Sequence, residues 1–436
     1  MRVIADLHIH SRYSRATSAN MNIPEIARFA QIKGLTLVGT GDFTHPQWLL
    51  ELKENLSKVP GTGLYRPKSL KSNVWFMITS EVSTVFSFGG KTKKIHHVIL
   101  VPSIEVAEQI NDRLSKYGSL DADGRPTLNM SAPHLVEEVM EVSEDNMVFP
   151  AHVWTPWFSV FGAFSGFDRI EDCYQDMTKH IHALETGLSS NPPMNWRLSS
   201  LDRFTLLSNS DSHSSWPWRI GREANVFELK QLTYWNIVES IRRKDSNILK
   251  FTIETDPAYG KYHWTGHRAC GVSLPPAEAI KLGNICPVCH KRLTKGVEQR
   301  VEELADRPYG FKPPGSPGYM HLLPLSEVIS AVIGASSPSS RKVWSIYNAL
   351  ISHFGNEYNV LIDADFSEIV EVTNPLIADA IIRVREGRVK VVPGYDGVYG
   401  RIIIFPEESK DAAETFKKDR EKEIRFSNQK FLTDFF

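Results

Sequence analysis

The first 225 or so residues alternate two hydrophobic patterns, short β-branched runs and longer stretches with helical spacing. Alternation of this kind predicts an α/β fold in which helices cover a parallel sheet. Between the first two runs lies a predicted helix, Pro24–Lys33, which Gly34 ends. The seven candidate strands are Val3–Ala5, Thr36–Gly39, Trp75–Thr79, Ile95–Val101, Met147–Ala151, His182–Glu185 and Phe204–Ser208. Seven such strands favour a barrel over an open sheet.

The pattern changes beyond about residue 256. Residues 259–307 lose their hydrophobic periodicity and gain Cys, His, Gly and Pro, which indicates a small module stapled by a metal. Beyond it, two predicted helices, Leu325–Gly334 and Arg341–Phe354, form a helical hairpin. A third helix, Pro375–Glu386, precedes a predicted β-hairpin. We therefore expect four segments: 1–250, 256–310, a mixed α+β region at 311–406, and a charged tether at 407–436.

Composition and charge restrict the possible partners only weakly. The chain has 436 residues, 42% hydrophobic and 23% charged, which is ordinary for a folded globular protein. Fifty basic and fifty-one acidic residues give a net charge of -1, so overall charge favours neither nucleic acid nor membrane. Four cysteines are too few for a secreted disulfide framework. With no signal-peptide pattern and no membrane-spanning apolar run, we expect a cytoplasmic protein without a membrane partner.

Side chains that bind metals stand at the ends of successive predicted strands. His8 and His10 lie two residues apart after the first strand, so both imidazoles can reach one ion. The carboxyl ends of barrel strands meet at one rim, and imidazole with carboxylate suits a transition metal. The same position recurs at Asp42, Glu81, His97, His152, Asp211 and His213. Buried polar groups need partners, and so many of them predict a metal centre.

These residues resemble a known superfamily. Asp6-Leu7-His8-Ile9-His10 and Ser210-Asp211-Ser212-His213, with Glu81, His97 and His152, are similar to the polymerase and histidinol phosphatase (PHP) superfamily. The resemblance implies a distorted (β/α)7 barrel with two to three divalent metals (Zn, Mn or Mg). One metal would bind the four residues that form the catalytic centre, His8, His10, Glu81 and Asp211. Glu81 would bridge to a second metal, held by His97 and His152, and His213 would belong to a third.

Two ligand assignments stay open. His96 is adjacent to His97 and points the other way on a strand. We favour His97 because an apolar run follows it directly. After the second strand, many relatives have Thr-Asp-His where this chain has Gly41-Asp42-Phe43-Thr44-His45, so either Asp42 or His45 is a candidate ligand of the third metal.

A second metal signal lies in the non-periodic segment. Its cysteines and one histidine form two closely spaced pairs, the spacing of a structural zinc site: His267, Cys270, Cys286 and Cys289. Three thiolates and one imidazole complete a tetrahedron, so we expect this zinc to support folding rather than catalysis. His263 and His290 are alternatives to His267.

The chain ends in a Gln-x-x-Leu-x-x-Phe-Phe box, similar to the one with which partners bind the proliferating cell nuclear antigen (PCNA) sliding clamp. A helical turn would place Leu432, Phe435 and Phe436 on one face, with Gln429 in a polar pocket. The alternative is a terminal helix that docks on its own domain. Because the box follows a charged tether, we favour clamp binding.

Aromatic and basic residues beside the metal motifs are candidate nucleic-acid contacts. Trp154 and Trp157 follow His152 and could stack on a base. Arg219 and Arg222 follow His213 and could contact phosphates. The rings are equally consistent with helix packing, and the charges with a solvated surface.

The combined motifs resemble the endonuclease Q family over nearly the whole length. They include Ala151-His152-Val153-Trp154-Thr155-Pro156, Cys286-Pro287-Val288-Cys289 and Arg300-Val301-Glu302-Glu303-Leu304-Ala305-Asp306-Arg307. The resemblance implies a repair nuclease that cuts DNA on the 5′ side of deaminated bases (hypoxanthine, uracil, xanthine) and abasic sites. It would leave a 3′-hydroxyl and a 5′-phosphate, by two-metal hydroxide attack. The segments would then be a PHP catalytic domain, a zinc module, a DNA-binding region and a clamp-binding tail. The alternatives are a PHP-type phosphatase or phosphodiesterase on small molecules and a catalytically silent clamp-bound scaffold.

Overall fold

The computed structural model describes residues 1–68 and 72–406. The strands are β1 (Arg2–Asp6), β2 (Leu37–Gly39), β3 (Leu56–Val59), β4 (Leu64–Pro67), β5 (Trp75–Phe88), β6 (Lys91–Val101), β7 (Thr127–Leu128), β8 (Met147–Pro150), β9 (Ala183–Glu185), β10 (Thr205–Leu207), β11 (Ala224–Glu228), β12 (Leu249–Glu254), β13 (Thr265–His267), β14 (Val272–Leu274), β15 (Gly318–His321), β16 (Lys390–Val392) and β17 (Arg401–Ile403). The α-helices are α1 (Ile23–Lys33), α2 (Pro46–Asn55), α3 (Ile104–Leu114), α4 (Ala132–Val142), α5 (Ile170–Tyr174), α6 (Pro192–Asn195), α7 (Tyr234–Arg242), α8 (Pro276–Lys281), α9 (Val297–Leu304), α10 (Leu325–Val332), α11 (Arg341–Phe354), α12 (Phe366–Val372) and α13 (Pro375–Arg385).

The first helix shows how local sequence sets an element boundary. Asn22 is the N-cap of α1, and its side chain accepts a hydrogen bond from the backbone N–H of Glu25. Pro24 occupies the first turn, where its missing N–H costs nothing. Gly34 ends the helix with φ 98°, a left-handed conformation that a side chain would strain. The predicted helix Pro24–Lys33 is therefore present; it begins one residue earlier, at Ile23, and ends at Lys33 before Gly34 as predicted.

A central sheet carries five of the seven strands predicted from the first half of the chain, as β1, β2, β5, β6 and β8. β1 pairs in parallel with β2, and β2 with β5. β5 pairs antiparallel with β6, β6 antiparallel with β8, and β1 antiparallel with β11, so the sheet is mixed and the prediction of a parallel sheet is wrong for these pairs. β9 and β10 pair in parallel as a separate ladder. Isolated bridges connect Val148 with Ile181 and Ile9 with Ser212, which brings the strand series back towards β1.

Both faces of the central strands are buried. Val3, Ala5 and Leu7 pack into one hydrophobic cluster, together with residues of β5, β6 and β8. Ile4 and Ile9 pack into a second cluster, which continues under the surrounding helices. Since alternate residues of a strand point to opposite faces, strands covered on both sides read as continuous apolar runs.

The helices of the described residues include none with both the length and the apolar composition of a membrane span.

The C-terminal region is mostly helical, as its periodicity predicted. The helical hairpin is present as α10 and α11, and the third helix as α13. The predicted β-hairpin is β16 paired with β17. β15 joins the central sheet instead, alongside β12. The division of the chain into four segments stays a prediction, and the tether with its box, 407–436, lies outside the described residues.

A buried ion pair ties the C-terminal helices to the first helix of the sheet domain. The Lys33 ammonium, at the end of α1, donates to Glu357 Oε1 at 2.7 Å and to the Pro217 carbonyl at 2.9 Å. Glu357 also accepts from Tyr347 Oη at 2.7 Å and from the Leu325 backbone N–H at 3.0 Å. Both charged groups are almost completely buried. The carboxylate is therefore saturated by partners from three segments of the chain.

Loss of this carboxylate would leave the Lys33 charge buried without compensation. We expect Glu357→Gln to lower the free energy of unfolding by about 3–5 kcal/mol, as measured by urea denaturation. The control is Glu25→Gln, on the same helix as Lys33, whose exposed pair with Arg28 contributes at most about 1 kcal/mol. Equal stability of the two variants would show that the Lys33–Glu357 pair does not hold the two regions together.

Candidate metal centre

Four of the predicted ligands converge at one end of the sheet. The ligand atoms of His8, His10, Glu81 and Asp211 all lie within 4.8 Å of one another. His10 Nε2 is 3.2 Å from Glu81 Oε2 and 2.9 Å from Asp211 Oδ1. His8 Nε2 is 3.6 Å from Glu81 Oε2, and it is buried without a hydrogen-bond partner. A buried polar atom without a partner is costly, and here it is directed at two carboxylates, as a metal ligand would be.

A second cluster shares Glu81. Its ligand atoms come from Glu81, His96 and His152. Glu81 Oε1 is 2.9 Å from His96 Nδ1 and 3.1 Å from His152 Nε2, while its Oε2 faces the first cluster. The two imidazole nitrogens are 3.3 Å apart. The donor set fits two divalent cations that one carboxylate bridges.

His96 replaces His97 in this cluster. His97 lies on the opposite face of β6, where Tyr174 Oη and Thr84 Oγ1 each stand 2.8 Å from one of its ring nitrogens. Burial lowers the pKa of His97 to about 3, so the ring is neutral and fully hydrogen-bonded. His97, the ligand expected from the sequence, is thus a core histidine. The pairing of β5 with β6 directs its neighbour His96 towards Glu81 instead.

The third-metal candidates do not form a cluster in the described part of the chain. Asp42 Oδ1 faces His10 Nδ1 at 2.9 Å, and its Oδ2 accepts from the N–H and hydroxyl of Ser11. Asp42 therefore orients His10. His45 stacks on Tyr13 with ring centroids 4.3 Å apart. His213 packs 4.5 Å from the His10 ring, with Nδ1 2.9 Å from the Asp211 carbonyl oxygen.

Sequence reasoning missed two charged residues at the centre. Glu185 Oε1 is 3.0 Å from His8 Nδ1, and Glu185 is itself held by Asn209 Nδ2 and the His152 N–H. It stands at the end of a predicted strand, the position shared by the other ligands, which is the signal that could have found it. Arg125 Nη1 is 3.0 Å from Glu81 Oε2, and it comes from a loop that no sequence pattern marks.

Burial and the neighbouring charged groups together determine the pKa values of the ionisable side chains in the centre. Burial alone would raise the pKa of Glu81, but His96, Arg125 and His8 outweigh it and hold that pKa well below its ordinary value. Burial alone would lower the pKa of His8, but Glu185 and Glu81 raise it. Burial lowers the pKa of His96 to about 4. An ionised Glu81 and a neutral His96 are the forms that bind metal.

Backbone strain is concentrated at the same place. Asp42, His152 and Asp211 have positive φ values of 51°, 30° and 47°. Non-glycine residues rarely adopt this region, and such residues cluster at functional sites. Gly187, also at positive φ, lies so close to His152 that an added Cβ would stand 2.7 Å from the Cβ of His152. A glycine is therefore required beside this candidate ligand.

The structure separates the four candidate DNA contacts into two buried and two accessible residues. Trp154 is 1% exposed, stacks on Phe161 and donates to Asn195, so it is a core residue. Arg222 is buried and donates to Thr255. Both are corrections to the expected contacts. Trp157 is 42% exposed, and Arg219 is exposed. The ring of Trp157 stacks on Phe164, with Tyr262 packed at its edge.

The four candidate zinc ligands of the small module also meet. The ligand atoms of His267, Cys270, Cys286 and Cys289 lie within 4.8 Å of one another, and His263 and His290 are not part of that group. Burial raises the pKa of Cys286, but the N–H groups of Cys289 and Val288 outweigh it and lower that pKa to about 6, which favours the thiolate that zinc binds. The module's own buried hydrophobic cluster is small, Val272, Cys286 and Leu293.

Comparisons with known proteins place this arrangement in a family. The crystal structure of the lesion-specific endonuclease PfuEndoQ from Pyrococcus furiosus is 34% identical, with a TM-score of 0.82, covering 94% of this chain and 99% of that chain. Endonuclease Q in complex with a 27-mer duplex substrate with an abasic lesion at the active site is 35% identical, with a TM-score of 0.81, covering 94% and 98%.

The chain also matches one family model and two uncharacterized proteins. A family model described as the MJ0043 C-terminal domain matches residues 324–388. The uncharacterized protein MJ0043 of Methanocaldococcus jannaschii is 35% identical over 275 residues, 61% of this chain and 33% of that protein, so this chain spans about a third of its length. The uncharacterized protein YqxK of Bacillus subtilis is 27% identical over 421 residues, 92% of this chain and 99% of that protein.

The fold, the buried histidine–carboxylate centre and the whole-length match together define a class of enzyme, the metal-dependent DNA endonucleases. Within that class, the chain belongs to the endonuclease Q family.

The two neighbouring histidines of β6 allow a direct test of the ligand set. We expect His96→Gln to lower the divalent metal bound after dialysis by about one ion per chain, because the second cluster loses a nitrogen ligand. His97→Gln is the matched control, and we expect it to keep its metal while losing about 1–3 kcal/mol of stability from unsatisfied partners. Elemental analysis and urea denaturation measure the two effects. Metal loss in His97→Gln alone would contradict this ligand set.

Proposed function

We propose that this protein cuts DNA at deaminated or abasic nucleotides. The observation that carries the proposal is the pair of clusters that share Glu81, found in a chain that matches endonuclease Q along nearly its whole length. We infer that the ring of strands around the clusters is a distorted (β/α)7 PHP barrel. We further propose cleavage on the 5′ side of the lesion, at hypoxanthine, uracil, xanthine and abasic sites, giving a 3′-hydroxyl and a 5′-phosphate.

The centre would hold two divalent cations, Zn, Mn or Mg. One would be held by His8, His10, Glu81 and Asp211. The other would be held by Glu81, His96 and His152. When bound, they would polarise the scissile phosphate and activate water. The chain's own residues orient this set: Glu185 fixes His8, and Asp42 fixes His10. Arg125 places a fixed guanidinium beside Glu81, where it can compensate the charge that develops on the phosphate.

Lesion recognition requires a surface that accepts an extruded base. The exposed ring of Trp157 belongs to the loop that follows His152, and it forms one aromatic surface with Phe164 and Tyr262. Aromatic faces stack on any base. We propose that this surface supports DNA next to the metal centre, with Arg219 as an accessible phosphate contact.

The other two modules support the same role. We propose that His267, Cys270, Cys286 and Cys289 hold one structural zinc, since a module with so small a core needs a metal to fold. We also propose that the terminal box, with Gln429, Leu432, Phe435 and Phe436, binds a PCNA-type clamp. The box lies outside the described residues, and this proposal rests on its sequence alone.

The decisive experiment uses end-labelled duplexes with one deoxyinosine, one deoxyuridine, one abasic site or no lesion, incubated with Mg²⁺ or Mn²⁺. We expect a single cut 5′ of each lesion and none in the undamaged duplex. Glu81→Gln should slow cutting by more than about 100-fold, since loss of even an outer-sphere partner costs up to that much.

The matched control is Glu105→Gln, an exposed glutamate on α3, which should cut like the wild type. Release of phosphate from small esters without any cut in DNA would overturn the proposal. That outcome would favour a small-molecule phosphatase.

A further inference from the structure

The β5–β6 hairpin extends well beyond the candidate metal centre. Its cross-strand pairs run without interruption from Ile78↔Val101, past Glu81↔Val98, to Phe88↔Lys91 at the tip. Gly89 and Gly90 form the turn, with φ values of 58° and 74°. A Cβ added at either glycine would meet nothing within 4 Å, so the tip is surrounded by open space. We call residues 85–94 the arm.

The register of the arm places one lysine on the same face as the metal ligands. Ser83 pairs with His96 and Val85 with Lys94, and side chains two residues apart share a face. The ring of Phe158 confirms this arrangement, because it lies 4.8 Å from the His96 ring and 5.2 Å from the Lys94 ammonium. Lys94 is therefore displaced outwards from His96 by two residues, about 7 Å along the strand.

The neighbouring lysine has a different environment. Lys93 lies on the opposite face, where its ammonium donates to the Gly166 carbonyl and stands 4.3 Å from the centroid of the Phe167 ring. Burial lowers the pKa of Lys93. Lys93 thus attaches the arm to the loop around residue 166. The side chains of Lys93 and Lys94 point to opposite faces of the hairpin.

The charge of the arm suits a polyanion. Residues 87–94 read Ser-Phe-Gly-Gly-Lys-Thr-Lys-Lys, with three lysines and no carboxylate. Among the described residues, no carboxylate forms an ion pair with Lys91 or Lys94. Lys91 is exposed at the tip, and Lys94 is half-buried against Phe158. Of the two, Lys94 lies on the face of the metal ligands, so its charge is available to a ligand that lies across the metal centre.

We propose that the arm binds the sugar-phosphate backbone of the duplex beside the cleaved bond, with the Lys94 ammonium on a phosphate. The inference rests on the proposed function, since it assumes a DNA substrate at the metal centre. It adds a contact surface that reads no sequence, because contacts to phosphates position DNA without distinguishing bases. The arm would hold the strand while the centre acts on the lesion.

The test measures the salt dependence of binding, which counts phosphate contacts. The full chain carrying Glu81→Gln is titrated onto a fluorescent abasic duplex between about 50 and 200 mM KCl. We expect Lys94→Ala to reduce the slope of log K against log salt by about one and to weaken lesion and undamaged duplexes equally. Lys94→Arg should retain the wild-type slope, because it keeps the charge.

Two controls separate this effect from general charge loss and from misfolding. Lys230→Ala removes an exposed charge far from the arm. Its neighbour Leu229 donates its backbone N–H to the Met1 carbonyl, at the end of β1 away from the metal ligands. This variant should leave the slope unchanged. Lys93→Ala should leave the slope unchanged and lower the free energy of unfolding.

An unchanged slope in Lys94→Ala overturns the proposal for the arm. The cleavage assay of the wild-type chain is read independently. If the wild type cuts lesion DNA and Lys94→Ala keeps its slope, only the arm proposal fails. If the wild type neither cuts nor binds DNA, the proposed function fails and the arm proposal fails with it.

Discussion

The centre depends on one buried carboxylate that faces two groups of ligands. Glu81 is completely buried, and an ionised carboxylate in that position is costly unless cationic or metal partners surround it. One of its oxygens faces His8 and His10, and the other faces His96 and His152. Because a single side chain serves both groups, the two clusters cannot be assembled independently. The positions of all four histidines therefore depend on the Glu81 carboxylate.

The residues behind the ligands carry part of the same constraint. Glu185 and Asp42 each face the inner nitrogen of one histidine, which fixes the ring and leaves its other nitrogen for the cluster. His152 and Asp211 adopt positive φ values that only a well-packed surrounding can maintain. The packed interior of the sheet domain therefore supplies the rigidity that the centre needs.

The sequence predicted much of the fold and all four residues of the first cluster. Alternating patterns located the early strands and α1, because period and capping residues are local properties. His8, His10, Glu81 and Asp211 could be found since they follow apolar runs or match known motifs. The choice between His96 and His97 could not be made locally, because it depends on the register between β5 and β6. Arg125 comes from a loop, and burial of Trp154 and Arg222 depends on packing with distant segments.

The hairpin register also determines which insertions the arm can accept without disturbing the metal centre. Residues added at the Gly89–Gly90 turn would lengthen the arm and leave every pair below it unchanged, so the metal centre does not fix the length of the arm. A single residue inserted between Lys94 and His96 would instead put the two side chains on opposite faces. The arm is thus tolerant of change in length at its tip and intolerant at its base. Evolution could adjust its reach in steps without altering the chemistry beneath it.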